Sequence, residues 1–347
     1  MEKPDILSMN PAELEELVIS LGEKKFRAAQ LWSWMQKGAS LDEMTNLPKV
    51  FREKLASQTE YRLPAIERKY ESKLDGTVKY VFRLFDGELV ESVFMKYEHG
   101  TSVCVSSQAG CAMGCRFCAS TIGGRVRNLA PSEILGQVIM AGRDRGERID
   151  GIVMMGIGEP LDNYDGTVKF LRLVSDPAGL NIGLRHISVS TCGLVPGIRR
   201  LAKEGLPVTL SVSLHEHNDA ARSELMPVNR RYPISELMEA CRFYFECTGR
   251  RVSFEYTLIA EKNSSPADAA SLAALLKREM GRVVHVNLIL LNEVEETGLH
   301  SPTRAEVAAF CDELKSCGVN ATVRRRLGSD INASCGQLRR AVSAQRG

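Results

Sequence analysis

The sequence lacks several features that would place it in other classes of protein. No apolar run in its 347 residues approaches the length of about 20 residues that a membrane helix needs. The amino-terminal Met-Glu-Lys-Pro-Asp carries no apolar signal region, and internal repeats and low-complexity segments are absent. Ten cysteines without a secretory signal predict a reducing compartment, where thiols stay available as ligands and nucleophiles. We therefore expect a cytoplasmic globular protein with no membrane partner.

A fourth metal ligand is missing from the most distinctive motif. Cys111, Cys115 and Cys118 lie in Cys-Ala-Met-Gly-Cys-Arg-Phe-Cys, and the nearest downstream histidine is His186. A structural zinc site closes with four ligands, usually from two Cys-x-x-Cys pairs, and three neighbouring cysteines cannot all form disulfides. Iron–sulfur clusters normally take four thiolates. Three thiolates would leave one iron with an open position, which is where chemistry takes place.

The first part of the chain predicts two small elements before the main fold. Asn10 supplies an N-cap and Pro11 a helix start, and Pro48 opens a further helix, so we expect a helical accessory domain over residues 1–65. The hydrophobic period then changes to two on both sides of Phe85-Asp-Gly-Glu88. This change predicts a β-hairpin extension over residues 66–96.

From residue 97 to residue 340, strand and helix signals alternate six times. The candidate strands are 102–107, 151–156, 186–191, 207–213, 251–258 and 283–290. The alternation predicts an α/β fold with a parallel sheet and right-handed crossovers. Six repeats are too few for a closed eight-stranded barrel, so we expect a partial (β/α)6 barrel that binds its ligands at the carboxyl ends of the strands.

The cysteine motif, which follows a predicted strand, resembles that of the radical S-adenosylmethionine (SAM) superfamily. Five segments that span almost the whole chain resemble the RlmN family of dual-specificity RNA adenosine methyltransferases. These segments are Cys104-Val-Ser-Ser-Gln-Ala-Gly-Cys111, Met155-Gly-Ile-Gly-Glu-Pro160, Ile187-Ser-Val-Ser-Thr-Cys-Gly193, Ser211-Val-Ser-Leu-His215 and Asp330-Ile-Asn-Ala-Ser-Cys-Gly-Gln-Leu338. The resemblance implies a partial barrel of the radical SAM type with a small amino-terminal helical domain. It also implies one 4Fe-4S cluster, held by Cys111, Cys115 and Cys118, and two SAM molecules per turnover.

The resemblance also implies a SAM pocket. Its expected residues are Gly158, Glu159, Ser190, Ser213, Leu214, His215 and Asn292. Glycine lets the backbone approach a ligand closely, and a carboxylate suits the SAM ammonium group. Asn292 departs from the family pattern, because Glu293 follows it where the family usually has proline. His215 at a strand end is also consistent with a simple hydrogen-bonded capping residue.

Three further residues acquire catalytic roles through the resemblance. Cys335 would carry a methyl group taken from a first SAM, and Cys104 would release the product by attacking the Cys335 sulfur, which leaves a disulfide. Glu91 occupies the family's proton-acceptor position, although the sequence alone favours a solvent-facing strand residue there, and Cys104 could itself take the proton. The other cysteines are interpreted as small buried apolar residues. These are Cys192, Cys241, Cys247, Cys311 and Cys317.

The implied function is methylation of the C-2 carbon of adenosine. The implied substrates are 23S rRNA in its peptidyl-transferase region and tRNA beside the anticodon, with an external electron donor such as flavodoxin; we expect a monomer. Formal net charge is only +2, but local arginine clusters are candidate phosphate contacts. They are Arg324–Arg326, Arg230–Arg231, Arg339–Arg340, and Arg125 with Arg127.

Two alternatives remain open from the sequence. The first is a Cfr-type enzyme, which methylates adenine at C-8 and shares every cysteine named for the chemistry. Gly158-Glu159-Pro160 and the stretch from Gly123 to Leu129 favour the RlmN family. The second alternative is a non-catalytic RNA-binding protein with a structural zinc site, which would be colourless where an iron–sulfur protein is brown.

Overall fold

A computed structural model of the chain describes residues 3–98, 100–281, 284–293, 295–334 and 337. The α-helices in this part are α1 (Pro11–Ser20), α2 (Phe26–Met35), α3 (Lys49–Gln58), α4 (Pro131–Arg145), α5 (Tyr164–Val174), α6 (Val195–Ala202), α7 (Asp219–Leu225), α8 (Ile234–Thr248), α9 (Pro266–Met280) and α10 (Arg304–Ser316). The β-strands are β1 (Ala65–Glu71), β2 (Val78–Arg83), β3 (Leu89–Tyr97), β4 (Gly100–Cys104), β5 (Gln108–Gly110), β6 (Arg125–Asn128), β7 (Gly151–Met154), β8 (Ile187–Thr191), β9 (Thr209–Ser213), β10 (Val252–Leu258), β11 (His285–Leu290) and β12 (Asn320–Val323). Within these residues, every helix is too short or too polar to span a bilayer.

The main sheet contains the predicted α/β barrel. Parallel strands run in the order β4-β7-β8-β9-β10-β11-β12, and the first six are each followed by a helix that returns the chain to the next strand. The six predicted strand–helix repeats are therefore confirmed, and each predicted strand begins within two residues of the observed one. Strand β12 is an additional edge strand that the sequence analysis did not predict. Among the described residues β12 does not pair with β4, so the barrel is partial.

Three antiparallel strands extend the sheet beyond β4. The predicted hairpin is confirmed: β2 pairs with β3 from Val78↔Phe94 to Arg83↔Leu89. Strand β1 pairs with β2 and was not predicted, because its mostly exposed side chains give no apolar alternation. The division into units at residues 65 and 96 remains a prediction.

The helices α1–α3 pack on the barrel and share its core. A capping box between Asn10 and Glu13 begins α1 as predicted. Leu14, Trp32 and Phe51 from these helices belong to the same buried cluster as the barrel strands. The shared core positions the helices beside α4 and α5.

A side-chain clamp fixes the chain where it leaves β4 for the cysteine motif. The Gln137 amide on α4 accepts from the Ser106 N–H at 2.8 Å and donates to the Ser106 carbonyl at 2.9 Å. Further along, Gly110 has a positive φ of 77°, and a Cβ there would overlap the carbonyl of Gly124. Strands β5 and β6 therefore need glycine at this position to approach each other closely enough to pair.

Candidate active site

Most of the predicted cofactor and metal residues converge on one cavity at the carboxyl ends of the parallel strands. The predicted residues that line it are Cys111, Cys115, Cys118, Gly158, Glu159, Ser190, Ser213, His215 and Asn292. Leu214 does not line it, because its side chain is fully buried in the main core.

Glu159 presents a fixed carboxylate to this cavity. Its Oε1 accepts from the Leu161 N–H at 3.0 Å and its Oε2 from the Cys192 N–H at 2.7 Å. Burial raises the pKa of this carboxyl, and the two backbone N–H groups oppose the rise. Because an ionised carboxylate offers about four acceptor positions, each oxygen retains capacity for a ligand cation.

Glycines let the neighbouring backbone form the cavity wall. Gly158 has a φ of 106°, and a Cβ there would lie 2.6 Å from the Gln108 Cβ. A Cβ on Gly156 would lie 2.6 Å from the Val105 carbonyl oxygen. Both turns therefore require glycine, and the strand β7 ends directly against the chain that leads to the cysteines.

His215 is a neutral hydrogen-bond donor at the cavity wall. Its Nδ1 accepts from the Thr257 N–H at 2.9 Å, which places the proton of the neutral ring on Nε2. Burial lowers its pKa to about 3, and the charge of Arg222 acts in the same direction. The backbone of His215 has a φ of 57°, in the left-handed region that asparagine, aspartate and histidine adopt more often than other residues with a side chain.

The buried His215 should make the folded state sensitive to mild acid. In the unfolded chain the imidazole binds a proton below its ordinary pKa of 6.5, whereas the folded ring stays neutral down to about 3. Stability is thus fully present above pH 6.5 and is lost as pH falls from there. Chemical denaturation should show that the wild type loses about 1.6 kcal/mol more than His215→Asn between pH 6.5 and pH 5, because the slope rises from half of about 1.4 kcal/mol per pH unit at pH 6.5 to nearly all of it at pH 5. Equal losses in both proteins would contradict this assignment.

A second, larger cavity adjoins the first. Cys104 lines it at the end of β4, and Arg324, Arg325 and Arg326 line it after β12. Ser334, the residue that precedes Cys335 in the sequence, also lines it. Cys335 itself lies outside the described residues, as do Arg339 and Arg340. Three residues, Met155, Ile289 and Asn292, line both cavities and form the wall between them.

Glu91 is buried, so its interpretation as a solvent-facing strand residue is wrong. Only 6% of it is exposed, and its Oε1 lies 3.5 Å from Lys79 Nζ. Lys79 also donates to the Asn332 carbonyl at 3.3 Å, which connects Glu91 to the carboxyl-terminal segment. Glu91 shares a face of β3 with Val93, which lines the second cavity. Both faces of this strand are covered, which its alternating pattern alone does not reveal.

Sequence reasoning missed several residues of the site. Glu255 lines the first cavity from inside β10 and is 2% exposed, with Oε1 accepting from Asn287 at 2.8 Å. The sequence does contain a signal for this residue, because a carboxylate between Phe254 and Tyr256 is unusual in a predicted buried strand and indicates a functional group. Cys192 also lines the cavity.

The remaining cysteines only partly follow the predicted burial. Cys241 is buried as expected, whereas Cys311 and Cys317 are half-buried. The interpretation of Cys247 as a buried apolar residue is wrong, because it is exposed near the end of α8.

Comparison with known proteins shows which family this chain is similar to. Residues 105–273 match the model of the radical SAM superfamily, and residues 4–60 match that of the ribosomal RNA large subunit methyltransferase N-terminal domain. A protein of Alkaliphilus oremlandii named "Probable dual-specificity RNA methyltransferase RlmN" is 50% identical over 98% of both chains. A protein of the same name from Pelotomaculum thermopropionicum is 54% identical over 99% of this chain and 93% of its own.

The chain belongs to the RlmN family of radical SAM methyltransferases. A solved structure agrees: the crystal structure of a radical SAM methyltransferase from Sphaerobacter thermophilus superposes with a TM-score of 0.93. It is 44% identical and covers 97% of this chain and 99% of its own. The radical SAM barrel with a helical amino-terminal region is thereby confirmed. Membership of the family implies a 4Fe-4S cluster and SAM as cofactors.

The residues of the first cavity fit these cofactors chemically. Three thiols line it together with a buried carboxylate and a neutral imidazole. Burial raises the pKa of Cys111 to about 12 and that of Cys115 well above its ordinary value, so thiolates here require the positive charge of iron. In the described part of the chain, no three His, Cys, Asp or Glu side chains form a site for a single metal ion. Thiolates of a cubane cluster bind separate irons and need not converge on one point.

Proposed function

We propose that the protein methylates C-2 of adenosine in 23S rRNA and in tRNA, with Cys335 as the methyl carrier. The observation that carries this proposal is the adjacency of the two cavities. The predicted cluster and SAM residues line the first, and Cys104 and the chain leading to Cys335 line the second. A radical generated beside the shared wall of Met155, Ile289 and Asn292 would have a short path to a methyl group on the other side.

The first cavity is assigned to cofactor binding. Cys111, Cys115 and Cys118 hold the cluster, and Glu159 accepts hydrogen bonds from the SAM ammonium group. His215 donates its Nε2–H to an acceptor on SAM. When bound, the cluster and SAM supply a 5′-deoxyadenosyl radical by one-electron cleavage of the sulfonium. The electron comes from an external donor of the flavodoxin type, and two SAM molecules are consumed per product, one as methyl source and one as radical source.

The second cavity is assigned to methyl transfer. Cys335, as a thiolate, displaces the methyl group of a first SAM. Loss of one hydrogen atom from this methyl group would leave a methylene radical that adds to C-2. A base would then take the C-2 proton, and the surplus electron would pass back to the oxidised cluster, which restores the aromatic ring. Cys104 then attacks the Cys335 sulfur, which forms a disulfide and releases the methylene carbon to take up a proton. A reductant outside the protein returns the two thiols.

The rim of the second cavity suits a nucleotide extruded from RNA. Its floor is apolar and sulfur-rich, with Val93, Met95 and Met155, whereas Arg325 and Arg326 are exposed at its edge. Enzymes that modify a base usually take it out of the stack and hold the backbone with cations. The proposed location is cytoplasmic, where both RNA substrates are found, and the proposed state is a monomer with residues 1–65 as a helical accessory domain.

Glu91→Gln should slow product formation by at least about 100-fold if Glu91 accepts the C-2 proton, as general bases commonly contribute 10²–10⁴-fold. Methylation of Cys335 and formation of 5′-deoxyadenosine should continue, because neither needs this base. Lys79→Gln is the matched control: it also breaks the Lys79–Glu91 ion pair but leaves the carboxylate. Single-turnover assays that follow all three products separate these steps. A wild-type rate in Glu91→Gln would transfer the role to another base, with Cys104 the first candidate.

Nucleoside analysis tests the proposed function. The protein is incubated anaerobically with SAM, a one-electron reductant and either 23S rRNA or tRNA, and the digested RNA is separated by liquid chromatography with mass detection. We expect 2-methyladenosine in both RNAs. An 8-methyladenosine product would instead identify a Cfr-type enzyme, and a colourless protein that binds RNA without modifying it would contradict the enzymatic account.

A further inference from the structure

The side chain of Arg222 on α7 is fully buried at the edge of the active site. Its Nε donates to the Leu214 carbonyl at 3.0 Å and its Nη1 to Asn229 Oδ1 at 2.7 Å. Its Nη2 donates to the carbonyls of Cys192 and Ser213 at 2.8 and 3.0 Å. All four acceptors are neutral. The guanidinium therefore joins the carboxyl ends of β8 and β9 without meeting an anion.

The positive charge of Arg222 has no direct partner in the described part of the chain. No carboxylate there forms an ion pair with it, and Asn229 separates it from the exposed Asp219, which accepts from Asn229 Nδ2 at 2.9 Å. Burying a cation without an anion is strongly unfavourable, and buried charges in proteins are normally paired or bind a charged group. The unbalanced charge points to an anion that binds in the cavity.

The helix that carries Arg222 packs directly under the cysteine loop. The Arg116 N–H donates to the Leu225 carbonyl at 3.0 Å, and Leu225 and Met226 share a buried cluster with Cys115. Arg222 lies one helical turn before Leu225 on α7 and donates to the carbonyl of Cys192, which belongs to the same buried cluster as Cys115. These contacts place the cation beside the loop that is assigned to the cluster.

The two buried carboxylates of the first cavity have other partners. Glu255 lies 3.8 Å from the Arg324 guanidinium. Glu159 and Arg222 hold opposite ends of one residue: Glu159 accepts the N–H of Cys192, and Arg222 donates to its carbonyl. Glu159 faces the cavity where the SAM ammonium group is assigned. With that pair matched, Arg222 remains for an anion on the cysteine side.

We propose that Arg222 is the counter-cation of the iron–sulfur cluster and raises its reduction potential. The inference rests on the proposed function, because the anion is the cluster bound by three cysteine thiolates. Reduction by the external donor adds one electron and makes that anion more negative by one charge, so a nearby buried cation favours the reduced form. Charge, burial and hydrogen bonding around a cluster are known to set its potential. Arg222 is a positioning residue, since it acts on the reaction through the cluster.

A redox titration of the anaerobically reconstituted protein, followed by electron paramagnetic resonance, tests the proposal. At a fixed solution potential, Arg222→Gln should hold at least about tenfold less reduced relative to oxidised cluster, which is a midpoint lowered by about 59 mV for one electron. Arg222→Lys keeps the charge and should stay within about threefold of the wild type. Arg116→Gln is the matched control, because it also removes one cation, this time from the cysteine loop itself. The Arg116 side chain is 59% exposed, so water screens its charge. We expect it to leave the midpoint unchanged.

An unchanged midpoint in Arg222→Gln would overturn the proposal, as would equal shifts in the Gln and Lys variants, which would show that shape rather than charge matters. If Arg222→Gln does not fold, Asn229→Asp decides, because it places a carboxylate against Nη1 while retaining the arginine. This variant should lower the midpoint, and an unchanged value would overturn the proposal.

A wild type that binds no cluster would refute the proposed function itself. A wild type that binds a cluster and methylates RNA, with unshifted variants, refutes only the role of Arg222.

Discussion

Cys104→Ala is expected to accumulate a covalent adduct between the protein and its RNA. Without the Cys104 thiolate nothing attacks the Cys335 sulfur, so the bond between the methylene carbon and C-2 forms but the adduct is not released. The substitution removes one sulfur atom from a residue that is 7% exposed in an apolar cluster with Val93 and Ile157, so the fold should persist. Denaturing electrophoresis with labelled RNA and mass spectrometry of the cross-linked peptide measure the effect.

Cys241→Ala is the matched control for this experiment. Cys241 is fully buried on α8 in the main core, and it lines neither cavity among the described residues. It should turn over normally and trap no RNA. Free turnover in Cys104→Ala would show that another group resolves the adduct, and trapping in both variants would show that the adduct reports general damage to the core.

Cys115→Ala is expected to abolish cluster binding and with it all RNA methylation. Cys115 is 8% exposed and is the central ligand of the proposed three, so its loss leaves at most two thiolates in the loop. Two thiolates do not suffice for a four-iron cluster that normally takes four. Iron and sulfide content, visible absorption and the nucleoside assay should all fall to background. Activity should fall by at least about 1,000-fold, roughly 4 kcal/mol at 1.36 kcal/mol per factor of ten.

Cys192→Ala tests whether a cysteine outside the loop also binds the cluster. Cys192 lines the cavity and packs in one cluster with Cys115, but it follows β8 rather than β4. If one iron is open to SAM, this variant should retain the full cluster. Loss of iron in Cys192→Ala would indicate a fourth protein ligand, and the proposal of an open coordination position would then be wrong.

The sequence predicted those parts of the fold that have a strong local signal. Six alternating strands and helices are visible because the buried strands carry apolar residues, either as a continuous run such as Ile152–Met154 in β7 or at every second position, as from Val252 to Leu258 in β10. Because side chains after parallel strands meet at one edge of a barrel, the motifs could be placed together before their geometry was known. The same reasoning could not find β12, whose short Asn-Ala-Thr-Val stretch is largely exposed at the sheet edge.

The details of the site depend on contacts between distant segments. Glu91 is covered by Lys79 and by the segment at Asn332, and neither contact is visible in the local pattern of β3. The burial of Arg222 likewise arises from carbonyls at the ends of two different strands. The second cavity combines β4, β11 and the chain after β12, so only the folded barrel brings Cys104 near Arg324.

Isotopic labelling tests the central claim most directly, namely that the methyl group passes through Cys335 and loses one hydrogen atom there. The protein is allowed several turnovers on RNA with SAM that carries a fully deuterated methyl group. We predict 2-methyladenosine with two deuterium atoms and one solvent hydrogen in its methyl group, together with 5′-deoxyadenosine that carries one deuterium atom. A product that retains all three deuterium atoms, or 5′-deoxyadenosine without deuterium, would contradict the account.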